Sequence, residues 1–228
     1  MKSKLLLSGI VLFIALSNIY SQKQNFPFSA KLKVSEEIKG QFIENGRLYL
    51  FLSKNANAEP RTQTWPSPTN KTYIFAKNME GYQPDGILEI QNDKSWISTA
   101  TWTLDQVPAG EYYVQILWDQ DLNESRIDAP GNLTSETQRI VINQPTEIDL
   151  FLNQSIAKRE IKSHDLAKVV DMKSEILSAW WNKPIQLKAS VLLPHGYDSN
   201  KAYPIRYNVA GYGGRYTRIN YMLNRENF

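Results

Sequence analysis

Near the C-terminal end, the apolar run "YPIRYNV" leads into "AGYGG", which places Gly211, Gly213 and Gly214 within four residues. Glycine permits positive φ and close backbone approach, so N–H groups in such a turn can aim at a developing oxyanion instead of pairing in a sheet. The chemistry this suits is acyl transfer, with Gly211, Tyr212, Gly213 and Gly214 as an oxyanion loop of backbone donors. Ordinary tight turns after strands use the same glycine spacing.

A second series, Asp119, Asp121, Asn123 and Ser125, puts oxygen-bearing side chains at alternate positions, a spacing that can wrap a hard cation. Counted from Asp119, the sixth place of an EF-type loop calls for Gly and holds Glu124, and the twelfth calls for Glu and holds Pro130. A solvated turn is therefore expected and no metal site. His164 and His195 stand far apart and in no ligand spacing, so zinc is not expected either; His195, in "LPHGYD", reads as a hydrogen-bonded loop imidazole. Zero cysteines exclude disulfides and thiolate chemistry, and no cofactor is expected. Asn70, Asn123, Asn132 and Asn153 each open an Asn-x-Ser/Thr triplet, which matters only in a host that glycosylates exported proteins.

The elements that would position these residues read as strands. "AKLKVSEE" alternates, and "GRLYLFLSK" sets Leu48, Leu50 and Leu52 on one face with Tyr49 and Phe51 on the other. "WISTATWTL", "PAGEYYVQILWD", "QRIVINQ" and "TEIDLFLNQ" are further strand candidates. Strands at this spacing without intervening helices point to an antiparallel β-sandwich over residues 22–155. The proline-bearing stretch "NANAEPRTQTWPSPTNKT" is a surface loop or crossover, with Trp65 as a cap on one end of the sandwich or as a ligand-stacking aromatic. Residues 156–184 are charged and mixed in period, a connector with one short helix near Lys173 to Trp181. From Ile185 onward, "IQLKASVLLPHGYD" and "AYPIRYNVAGYGG" read as two strands opening a second domain, 185–228.

Lys2 and Lys4 precede an apolar run from Leu5 to Leu16, too short to span a bilayer and suited to a secretory signal over residues 1–21, with cleavage before Gln22. An uncleaved anchor is the alternative; no Cys follows the run to carry a lipid. The expected location is secreted or periplasmic, with no membrane association after cleavage. Without the leader, 24 basic residues face 23 acidic ones, scattered and without a stripe, so nucleic acid is not an expected partner. At 42% hydrophobic residues the chain has material for a real core.

Taken together, several segments carry a resemblance. "LLPHGYDSNKAYPIRYNVAGYGG", Leu192 to Gly214, resembles the entry to the α/β-hydrolase domain of secreted bacterial esterases of the enterochelin-esterase-like and feruloyl-esterase-like group. "GRLYLFLSK", "EPR", "PAGEYYVQILWD" and "PGNLTSE" are similar to the β-sandwich ahead of that domain. The resemblance implies a mainly β chain, an antiparallel β-sandwich followed by the first strands of an α/β-hydrolase domain. It also implies that Gly211 to Gly214 belong to the loop supplying one oxyanion N–H, and that the full-length partner is a small-molecule or carbohydrate-linked ester. Many members have a histidine where Ala210 stands. The family's Gly-x-Ser-x-Gly elbow, and an Asp and a His following it, are absent. The expectation is an N-terminal fragment of an esterase, inactive by itself, whose residues from about Ile185 are poorly ordered, docked on the sandwich, or prone to aggregation. The rival expectation is a binding or docking module for carbohydrate or a partner protein, with Trp65, Trp96, Trp102 and Trp118 as a stacking platform, although most of the four are expected in the core.

Overall fold

Alternation of apolar with polar side chains builds the strands of the first of two units, which divide between Ile156 and Ala157; the computed structural model describes residues 24–67, 69–121, 124 and 126–223. The expected leader therefore lies outside the described residues. In chain order the first unit contains β1 (Asn25–Phe26), β2 (Phe28–Val34), β3 (Gly46–Ser53), β4 (Thr72–Met79), β5 (Leu88–Ile90) and β6 (Ile97–Ser98). It continues with β7 (Val107–Pro108), β8 (Gly110–Asp119), β9 (Leu133–Thr134), β10 (Gln138–Ile142), β11 (Thr146–Leu152) and β12 (Gln154–Ser155). The second unit holds β13 (Ala167–Lys173), α1 (Glu175–Trp181), β14 (Gln186–Leu192), a 3-10 turn (Tyr216–Arg218) and α2 (Ile219–Leu223). The protein is mainly β, and its sheets are largely antiparallel. Among the described residues no helix is long and apolar enough to cross a membrane.

The large sheet runs β12-β9-β8-β3-β4-β6, with β10 also paired to β8, and a smaller one runs β11-β2-β5. Leu48, Leu50 and Leu52 of β3 and Tyr112, Val114, Ile116 and Trp118 of β8 share one buried cluster with Phe28, Ala30, Leu32 and Val34 of β2. Leu150 and Leu152 of β11 complete it, so the inner faces of the two sheets enclose a common core, the packing of a β-sandwich. The outer face of the small sheet is charged: Lys31 and Lys33 of β2 reach diagonally to Glu147 and Asp149 on β11, at 2.7 and 3.5 Å, each acid lying two residues before the lysine's Cα partner. One pairing departs from the antiparallel expectation. β11 runs parallel to β2, Thr146 beside Phe28 through Leu152 beside Val34, a pairing open to strands far apart in the chain that no hairpin links.

The outer face of the large sheet is covered as well. Phe51 and Leu117, which alternation alone would turn toward solvent, are fully buried. Gln115, also buried, accepts the Arg61 N–H at 3.1 Å and donates to the Ser135 carbonyl at 3.0 Å, pinning the loops before β4 and after β9 over that face. β4 itself is a strand that the sequence reading does not assign. Conversely, "WISTATWTL" yields only the two ladder residues of β6; Trp96 and Trp102 instead pack as side chains on Phe75, at 6.4 and 5.4 Å between ring centroids.

In the second unit, the segment read as a connector contains β13, which pairs antiparallel with β14 from Ala167 beside Leu192 to Lys173 beside Gln186. The charged residues Lys168, Asp171 and Lys173 conceal the strand in the sequence. The expected short helix is α1: Ser174 caps it by accepting the Leu177 N–H at 3.3 Å, and Asn182 ends it in the left-handed region at φ +49°. Val170 and Met172 of β13 share a face with Leu187 and Val191 of β14, and all four are exposed. Of the two strands expected from Ile185 onward, β14 forms; residues 204–210 join no ladder, and Val209 is 92% exposed.

Candidate functional site

The glycine turn has a defined shape. The Gly211 carbonyl accepts the Gly214 N–H at 2.9 Å, and Gly213 sits at φ +74°, the arrangement of a type II turn with glycine at its third position. A Cβ on Gly214 would lie 2.2 Å from the Ala210 Cβ, so that position is closed to any side chain, whereas Gly211 has open space around it. The Gly214 N–H is consumed inside the turn. Tyr212 and Gly213 form the centre of the turn, and Tyr212 is 88% exposed. Downstream, the Ser190 hydroxyl donates to the Tyr216 carbonyl at 2.7 Å, and Asn220 of α2 donates to the Glu160 carbonyl and accepts the Lys162 N–H, at 2.7 and 2.9 Å. The turn is thus continuous with a helix tied both to β14 and to the start of the second unit.

Both histidines sit in local turns. His164 accepts the Leu166 N–H on Nδ1 at 3.2 Å, a local turn bond. His195 occupies a turn closed by the Tyr197 N–H on the Pro194 carbonyl at 3.2 Å, with Gly196 at φ +65°. The tryptophan platform is not assembled: Trp118 is buried, its indole N–H donating to the Ile43 carbonyl at 3.0 Å, and Trp96 and Trp102 lean on Phe75. Trp65 is 79% exposed rather than packed on the sandwich end, and the Asn70 amide donates to its carbonyl at 2.8 Å.

The acidic series is organised by a residue outside it. Asn132 is fully buried; its amide donates to Asp119 Oδ1 at 2.7 Å and to the Ile127 carbonyl at 3.0 Å, and its oxygen accepts the N–H groups of Gln120 and Asp121 at 3.0 and 3.1 Å. This fully used amide cannot be a glycan acceptor. Asn123 and Ser125 lie outside the described residues, and among those described no cluster of three metal-ligating side chains forms. Burial holds the Asp119 carboxyl above the usual carboxylate range, against the Asn132 hydrogen bond, with Asp121 and Glu124 adding to the rise.

Beside Asp119 lies a cleft of about 580 Å³ that the sequence reading did not find. Its floor is one cross-strand row on the outer face of the large sheet: Asn78 of β4, Arg47 of β3 and Asp119 of β8 stand directly opposite one another. Tyr49 stands next along β3, stacked on Phe51 at 6.1 Å and 5.6 Å from the Arg47 guanidinium carbon; burial raises its phenol. Gly46 must be glycine, because a Cβ there would meet the Asp119 carbonyl at 2.8 Å and the Trp118 indole nitrogen at 2.9 Å. The signal for Arg47 and Tyr49 in sequence was only their place on the outer side of an alternating strand.

No family model, no curated protein and no solved structure matches this chain.

Proposed function

We propose that this chain is the N-terminal part of an exported serine hydrolase of carboxylic esters, in which the Gly211–Gly214 turn forms half of an oxyanion hole. The observation that carries the reading is this turn, with Gly213 at positive φ, a Gly214 that admits no side chain, and a helical segment, Tyr216–Leu223, directly after it. Support also comes from residues 204–210, whose β-branched and aromatic side chains lie exposed outside any ladder. That is the character of a central strand without its neighbours, since parallel sheets bury both faces. In acyl transfer the Tyr212 and Gly213 N–H groups would stabilise the tetrahedral oxyanion, while a serine, its histidine base and an orienting carboxylate come from elsewhere. A second reading, the sandwich as a binding module, is favoured by the cleft lined by Arg47, Tyr49 and Asp119.

The test is to read the coding frame beyond the Phe228 codon and to assay the product. The 228-residue chain is expected to give no p-nitrophenyl ester hydrolysis and no labelling by a fluorophosphonate. An in-frame extension carrying a Gly-x-Ser-x-Gly elbow is expected to give both, and Gly213→Val in that product to lower kcat by about 100-fold or more. Turnover by the present chain alone, or an extension without activity, overturns the proposal.

A further inference from the structure

The second unit turns its apolar side chains outward. In α1 the buried residue is Ser178, whose hydroxyl accepts the Ile185 N–H at 2.9 Å and whose carbonyl accepts the Lys183 N–H at 3.2 Å. On the other side of the helix, Ile176 lies one turn from Trp180 and Leu177 one turn from Trp181. All four are exposed, Ile176 to 84% and Trp180 to 81%. The β13–β14 hairpin is arranged in the same way. Its polar face is the one that is covered: the Ser190 hydroxyl donates to the Tyr216 carbonyl, and Lys188 Nζ lies 5.9 Å from the Tyr216 ring. Its apolar face, with Val170, Met172, Leu187 and Val191, is the open one. A helix or sheet that faces water ordinarily does the reverse, so these surfaces mark a place of contact.

Charge decides what they contact. The second unit, Ala157–Phe228, carries 12 Lys and Arg against 6 Asp and Glu, a net of +6, whereas the chain from Gln22 to Ile156 carries 12 against 17, a net of −5. The near-neutral balance of the whole chain conceals this division. Lys173 and Lys183 flank α1, and Lys168 stands beside Val191 at the end of the open hairpin face. A second copy docked patch to patch would bring two units of +6 together. Nucleic acid would use the charge and leave the apolar face of α1 in water. An anionic lipid surface satisfies both, since its interface accepts Trp, Ile and Leu while its phosphates attract the lysines. No described helix is long and apolar enough to cross a membrane, so the contact is peripheral. We propose that the second unit binds an anionic lipid surface through Ile176, Leu177, Trp180 and Trp181 of α1, drawn there by its net positive charge. This surface is apart from the glycine turn, and the proposal does not rest on the esterase reading.

Co-sedimentation with vesicles tests this on the chain from Gln22 onward, which keeps every described residue and lacks the apolar run of the leader. Saturable binding is expected to vesicles of equal phosphatidylglycerol and phosphatidylcholine, weaker by about tenfold or more on phosphatidylcholine alone. Salt at about 1 M, where the screening length is about 3 Å, is expected to weaken it similarly. The double variant Trp180→Ala, Trp181→Ala is expected to lose about tenfold or more with unchanged thermal unfolding, because both rings are exposed. Lys168→Gln is expected to lose about fivefold. Trp65→Ala, which removes an exposed ring of the acidic first unit, is expected to bind as the parent does. Equal binding to neutral vesicles, no binding to either kind, or parent affinity in the double variant overturns the proposal. So does a dimer in sedimentation velocity that the double variant dissolves, which would make a second copy of the chain the occupant.

Discussion

Replacing Asn132 tests how the strand end at Asp119 is held. The side chain is fully buried, and its two donors and its acceptor oxygen are all engaged, on Asp119, Ile127, Gln120 and Asp121. Asn132→Ala leaves four polar groups without this partner. At about 1 kcal/mol net per hydrogen bond the loss approaches about 4 kcal/mol, and water reaching the half-exposed Asp119 and Asp121 reduces it to about 2–4 kcal/mol. That is a large share of the stability of an ordinary domain. Urea unfolding followed by tryptophan fluorescence would read it as a lowered midpoint at unchanged slope. Asn132→Asp is the sharper variant. It retains both N–H acceptor bonds but brings a carboxylate against Asp119 Oδ1, where the present donor sits at 2.7 Å. Such a pair raises one folded-state pKa, so the variant is destabilised at neutral pH, and the deficit shrinks as pH falls through the raised value. A loss below about 1 kcal/mol for Asn132→Ala, or a pH-independent deficit for Asn132→Asp, would refute the reasoning.

Three further expectations concern single sites. Because burial raises the Asp119 carboxyl, its ionised form costs stability above the folded pKa and the cost fades as pH falls through it. Asp119→Asn should therefore match or exceed the parent Tm at neutral pH and lose that advantage in acid; a lower Tm at neutral pH, by calorimetry, counts against this. Tyr112 is buried, donates to the Pro108 carbonyl at 2.8 Å, and has its phenol pushed up to about 12, chiefly by burial. Its stabilisation is complete below the ordinary phenol value of 10.0 and is lost as pH rises from there toward about 12, so alkaline unfolding should be less steep in Tyr112→Phe. Gly214→Ala must displace Ala210 and reopen the turn; amide NMR shifts should change around residues 204–218 while unfolding of the sandwich stays the same.

Much of the sandwich was legible because period-two alternation is a local property. Leu48, Leu50 and Leu52, and the run from Tyr112 to Trp118, announce a buried face whatever they pack against. β4 escaped notice because it follows the proline-bearing loop without clean alternation, with Phe75 and Ala76 both buried. "WISTATWTL" misled in the other direction, since Trp96 and Trp102 have strand-like composition but serve as anchors for a loop. β13 was hidden by its charges.

The glycine turn belonged to the sequence by itself: three glycines in four residues after an apolar run specify a tight turn through their own φ preferences. So did the alternation that separates an inner from an outer side of β3 and β8. The parallel union of β11 with β2, the burial of Phe51 and Leu117, and the row that sets Asn78, Arg47 and Asp119 side by side were decided by tertiary structure. Each depends on the register between strands distant in the chain, and a shift of one residue would turn every one of those side chains to the opposite face.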